Sequence, residues 1–187
     1  MRRAAPLSAA AALLLALCAG CSAPGTGRVT EIGAGPAAPA AATPSLDPAQ
    51  SATAQVLAAY NGMRQAQVTA EAEATTEGSG LGVYASGKAF VEITAAVVQE
   101  AAEGRVMIGI PLLDPRVTAL DLSAQPPTAT VTDCIGVGGW QSVDQATGQY
   151  VAVTSSAHNS FVSVSQAQRG ADGWTITETE VNRSKPC

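Results

Sequence analysis

The stretch QEAAEGRVMIGI, Gln99 to Ile110, changes its period halfway along. Upstream of Gly104, apolar side chains recur every three or four positions. Phe90, Ile93 and Val97 fall on one face and predict a helix over Lys88–Glu103, stopped by Gly104. Downstream the period drops to two, and Arg105–Ile110, Arg116–Ser123, Thr128–Val137, Phe161–Arg169 and Trp174–Val181 read as strands. Pro111, Asp114-Pro115, Pro126-Pro127 and Gly170–Gly173 punctuate them, the last as a tight hairpin. Between Gly138 and Ser160 the pattern weakens; Gln149–Val153 is expected to extend the sheet past a turn at Asp144–Gly148.

Working back from Gly104, a short helical turn over Leu81–Ala85, broken at Ser86-Gly87, follows a loop at Thr75–Gly80. Asp47-Pro48 is a helix start, because Asp caps free N–H groups and Pro tolerates the first helical position. Ala52, Val56, Ala59, Tyr60 and Met63 carry that helix to about Ala70, most simply as core side chains. Helices followed by a run of antiparallel strands predict an α+β domain, N-terminal helices packed on one curved antiparallel sheet, over residues 45–187.

The N-terminus carries a different code. Arg2 and Arg3 precede an Ala/Leu run from Ala9 to Leu17, which has the length of a secretory h-region and is too short to span about 30 Å of hydrocarbon. Cys18-Ala19-Gly20-Cys21 then resembles the lipobox of bacterial lipoproteins, with small residues before an acylated cysteine. Cys18 stands where that family has a branched aliphatic residue. A redox Cys-x-x-Cys of the thioredoxin type needs a βαβ context, whereas an Ala/Leu run and a Pro/Gly-rich stretch flank this pair. The expectation is therefore a lipoprotein signal peptide over 1–20, lipid on Cys21, and a disordered Ala/Pro/Gly tether over 21–44. This places the domain on the outer face of the cell membrane, held by the lipid on Cys21.

From Cys21 onward the chain has 8 basic against 15 acidic side chains, a net charge of −7, which disfavours nucleic acid and anionic headgroups as partners. Two cysteines remain, Cys134 and Cys187, 53 positions apart. In an exported protein an even pair is expected to bridge. Cys134 alternates with Thr130 and Thr132, so its sulfur is expected to point away from the helices, with the last strand beside or nearly beside its own. Neither these cysteines nor the lone His158 has the spacing of a metal site, and no cofactor motif is present. Gly136–Gly139 leads into strand-like sequence rather than a helix, so it lacks the N-terminus that a phosphate site uses.

The segments AYNGMRQA (59–66), VYASGKA (83–89), PRVTALDLS (115–123), TATVTDC (128–134), Trp140 with Asp144 and Thr147-Gly148, DGWTITETEV (172–181) and the terminal cysteine resemble a family of actinobacterial lipoproteins and secreted proteins. Those proteins are assigned to the nuclear transport factor two, or cystatin-like cone, fold. The resemblance spans nearly all of residues 45–187. It implies a curved sheet wrapped by helices around a pocket and brings no established activity.

The candidate chemistry is sparse. Asp133 falls on the apolar face formed by Ala129, Val131, Ile135 and Val137, where burial raises a carboxyl pKa and suits proton transfer. Ketosteroid isomerases of the cone fold pair such an Asp with a Tyr, and Tyr60 and Tyr84 are the candidates for that hydroxyl here. The structural alternative is an Asp133 hydrated at the sheet edge or hydrogen-bonded to backbone. His158 lies among serines in a polar stretch and lacks the setting of a general base. Two functions follow. One is a non-catalytic binding or assembly module for a small apolar ligand or an envelope protein. The other is a cofactor-independent lyase or isomerase using Asp133 with Tyr60 or Tyr84.

Overall fold

The computed structural model describes residues 47–152 and 158–187. The expected signal peptide over 1–20, the expected lipid site Cys21 and the expected tether over 21–44 lie outside the described residues. Three helices come first: α1 (Pro48–Glu73), α2 (Leu81–Tyr84) and α3 (Gly87–Ala102). Six strands follow: β1 (Arg105–Gly109), β2 (Arg116–Asp121), β3 (Thr128–Gly136), β4 (Trp140–Asp144), β5 (Ser160–Gly170) and β6 (Gly173–Asn182). None of the described helices is long and apolar enough to cross a membrane.

Pro48 occupies the first turn of α1, as its fixed φ allows. Asp47 makes no side-chain cap; its carbonyl instead accepts the first helical hydrogen bond from the Ser51 N–H at 2.9 Å. The helix buries mostly small residues, Ala52, Ala59, Ala66 and Ala70, between the larger Val56, Tyr60 and Met63, so it seats closely on the sheet. At the start of α3, Gly87 sits at φ +54°, and a Cβ there would lie 3.2 Å from the Thr177 carbonyl on β6. Only glycine lets the helix enter that close to a strand.

All strand pairs are antiparallel, but they form two ladders: β2-β3-β5-β6, and β1 with β4. This corrects the expectation of one curved antiparallel sheet, and it gives bounds to a strand, β4, where the sequence after Gly139 was only strand-like. The register explains the break. Arg105 faces Asp144 and Gly109 faces Trp140 in the small ladder, while Arg116 faces Thr132 and Asp121 faces Thr128 in the large one. Between them Leu112 and Gly136 exchange two hydrogen bonds of 2.8 Å. The ladders are successive lengths of one ribbon, interrupted where Pro111 and Pro115 supply no N–H. At the same point Gly109, at φ +79°, packs the Gly139 carbonyl where a Cβ would stand. Of the expected extension at Gln149–Val153, the described part makes one bridge, Tyr150 to Val143.

The core lies between the helices and the large sheet. In β3 burial alternates strictly, with Ala129, Val131, Asp133 and Ile135 inward. Ala167 on β5 and Trp174 and Ile176 on β6 close the floor beneath α1. On the opposite face, Cys134 is bonded to Cys187, with Cα atoms 5.9 Å apart. The tail reaches it by crossing β5: the Val162 N–H donates to the Lys185 carbonyl at 3.1 Å, and the Ser160 hydroxyl donates to the Cys187 carbonyl at 3.1 Å. The last strand therefore lies next but one to the strand holding Cys134.

Candidate functional site

The inward carboxylate of β3 meets α1. Asp133 is 1 % exposed, and its Oδ2 accepts the Tyr60 hydroxyl at 2.7 Å. Its Oδ1 accepts the Asp114 backbone N–H at 2.7 Å, across the interrupted part of the ribbon. Both carboxylate oxygens are thus engaged, one by a side chain and one by backbone.

The Tyr60 oxygen in turn accepts from Arg64 Nε at 3.0 Å. The other guanidinium nitrogens donate to Gln67 Oε1 at 2.9 Å and to Ser163 Oγ on β5 at 3.1 Å. Gln67 Nε2 then donates to Glu71 Oε1 at 2.8 Å. Tyr60, Arg64, Gln67 and Glu71 stand at spacings of four, three and four, which places them in one row on α1. The result is a hydrogen-bonded chain from β3 along the buried face of the helix. Arg64 lies between two carboxylates, each reached through one neutral side chain.

Burial governs the titration of this row. It pushes the Tyr60 hydroxyl well above the ordinary phenol range; Arg64 opposes that rise and the Asp133 charge adds to it. Tyr60 is held as a protonated donor. Glu71 is pushed up to about 7, first by burial, against the Gln67 hydrogen bond, with the charge of Glu100 on α3 adding to the rise. Glu100 is itself raised by burial, offset by Arg105.

Tyr84 is not brought to Asp133. It ends α2, and its ring lies over Gly62 of α1. His158 is exposed just ahead of β5, away from this row. Arg64, Gln67, Glu71 and Ser163 went unread in the sequence. The signal present was the Tyr-x3-Arg-x2-Gln-x3-Glu period within an alanine-rich helix, which marks one face without saying what lies opposite.

Two recesses open nearby. One of about 210 Å³ beside the disulfide touches Asp133, together with Thr118, Thr132 and Cys134 of the outer face. The other, about 790 Å³, runs beside β6 between Lys88 of α3 and the C-terminal tail. Tyr60, Arg64 and Ser163 line neither. No cluster of metal-ligating side chains occurs among the described residues.

No family model matches this chain, and no curated protein matches it in sequence. Among solved structures, the intermembrane space region of the chloroplast protein ARC6 is similar with a TM-score of 0.44 at 15% identity, over 74% of this chain and 98% of that one. At a TM-score below 0.5 the likeness carries no inference about fold or activity.

Proposed function

We propose that this protein is an exported lipoprotein, anchored through Cys21 to the outer face of the cell membrane. Its domain acts as a non-catalytic binding or assembly module, for a small apolar ligand or an envelope protein. The carrying observation is the closure of the Asp133–Tyr60–Arg64 row. Groups that would do chemistry are consumed by one another beneath α1, with Tyr60 fully buried and both Asp133 oxygens engaged. Such a row locks a helix to a sheet rather than turning over a substrate. The Cys134–Cys187 bridge is compatible with an oxidising compartment. The helices packed against antiparallel strands support an α+β domain; the finer reading as a cone-like, nuclear transport factor two-type domain of a lipoprotein rests on the sequence resemblance.

The reading as a cofactor-independent lyase or isomerase draws on the 2.7 Å contact between Tyr60 and Asp133. It requires a substrate to displace one partner of Asp133 from the side of the 210 Å³ recess. The anchor is tested directly. Cys21→Ser should move the protein from the membrane fraction to the soluble one and abolish labelling by a palmitate analogue. Labelling that persists in the variant and depends on Cys18 refutes the placement of the lipid.

A further inference from the structure

β2 is an outer strand of the large sheet. It pairs with β3 on one side, and among the described residues no strand, bridge or backbone hydrogen bond reaches its other side. An open edge of this kind is a template for pairing with another chain. Val117 faces Val131 and Ala119 faces Thr130, so Thr118 is an extra residue in the ladder, a bulge. The Thr118 and Thr132 hydroxyls are hydrogen-bonded at 3.1 Å on the face away from the helices. Arg116, Ala119 and Asp121 stand opposite Thr132, Thr130 and Thr128 and share that outer face. Val117 and Leu120 stand opposite the buried Val131 and Ala129 and pack inward against the core. Side chains over Arg116–Asp121 therefore run out, in, out, out, in, out, and the four outward ones are exposed. That order is the same from either end. A regular strand of six residues alternates and cannot have it.

We propose that β2 pairs antiparallel with β2 of a second copy of this chain. The two-fold axis passes between Thr118 and Ala119, perpendicular to the sheet, so one sheet continues through both copies with all helices on the same side. Arg116 of each copy then lies opposite the partner's Asp121 on the outer face, and Val117 opposite the partner's Leu120 on the inner one. A shift of one residue in either direction sets an inward side chain against an outward one, so the register is fixed. Charge selects the occupant. Edges are commonly blocked by charged side chains, above all lysines, and charges of one sign would repel a second copy. Here opposite signs stand at symmetric positions, and self-pairing brings them together. Neither charge is used up within its own chain. Asp121 holds the Ser123 and Ala124 amides through Oδ1, and no hydrogen bond among the described residues reaches its Oδ2. Arg116 gives only its Nη2 to Asp114. The pairing does not depend on the lipid-anchored reading.

The test measures the protein mass of the full chain in detergent by light scattering with absorbance and refractive-index detection, which subtracts bound detergent. A dimer should form as concentration rises, and amides within Arg116–Asp121 should gain protection from hydrogen exchange with it. R116D sets two carboxylates opposite each other and D121R sets two guanidinium groups, so each alone should weaken the dimer by about tenfold or more. Mixed in equal amounts, the two variants should restore a dimer of parental strength, because every facing pair in the mixed dimer is again of opposite charge. Damage to either fold cannot produce that rescue. If D121R fails to fold by circular dichroism, D121N replaces it, since its amide oxygen still accepts from Ser123 and Ala124; it should weaken the dimer, though less than R116D does. A chain that stays monomeric to millimolar concentration overturns the proposal. So does a dimer that R116D and the Asp121 variant leave unchanged, or a mixture of R116D and folded D121R no tighter than either alone. A dimer that leaves exchange in β2 unaltered is a contact made elsewhere and also overturns it.

Discussion

Tyr60 joins a buried acid to a buried base without letting them touch, since its oxygen donates to Asp133 and accepts from Arg64. Tyr60→Phe keeps the ring and its packing but leaves Asp133 Oδ2 and Arg64 Nε short of a partner. Hydrogen bonds to charged groups contribute about 1.5–3 kcal/mol each, so the variant should lose roughly 2–3 kcal/mol, seen as a lower urea midpoint with unchanged m. An unaltered midpoint would show that the row does not hold α1 down. Glu71 makes the opposite demand. Its carboxyl is raised from 4.5 to about 7, chiefly by burial, so the folded state keeps a proton that the unfolded chain has released. Stability is therefore full below about pH 4.5 and falls as pH rises to 7, by on the order of 3 kcal/mol. Glu71→Gln still accepts from Gln67 and has no proton to lose. Its denaturation midpoint should match the parent at pH 4 and exceed it at pH 8; parallel pH profiles would contradict this.

At the scale of elements, α1 and α2 are coupled at one glycine. Alanine is the better helix former by about 1 kcal/mol, yet a Cβ on Gly62 would stand 2.5 Å from the Tyr84 ring. Overpacking of this kind costs about 1–3 kcal/mol, so Gly62→Ala should lower the melting temperature. In a Tyr84→Ala background the same change should raise it, because only the propensity gain remains. A double-mutant cycle measures this reversal; additive effects would mean the ring does not seat on α1. The element boundaries followed local chemistry well, because Pro48, Gly104, the prolines and the Gly170–Gly173 hairpin act within their own few residues. The strand β4 showed only as unbounded strand-like sequence after Gly139. Its five residues bury Ser142 and Val143 side by side rather than in alternation, which erases the period of two.

For the whole molecule, the tail is held by one covalent bond across an intervening strand. Closing a 53-residue loop stabilises by about 4 kcal/mol in the chain-entropy description. C134S/C187S should lose a comparable amount by urea denaturation, and the amides of residues 182–187 should exchange freely while those of β3 stay protected. Retention of slow exchange in the tail would assign its order to the Val162–Lys185 hydrogen bond instead. Sequence alone determined the class of fold, the change from helices to antiparallel strands, the inward place of Asp133 and the outward place of Cys134. These are set by local propensity and by the side-chain period of each element. Only the tertiary structure decided that Tyr60 rather than Tyr84 reaches Asp133, that Arg64, Gln67, Glu71 and Ser163 complete the row, and that the ribbon breaks into two ladders. Those outcomes depend on which residues, distant in sequence, face one another once α1 is seated. A helix period marks a face, but the partner across it is chosen by packing and by the need of buried polar groups for hydrogen bonds.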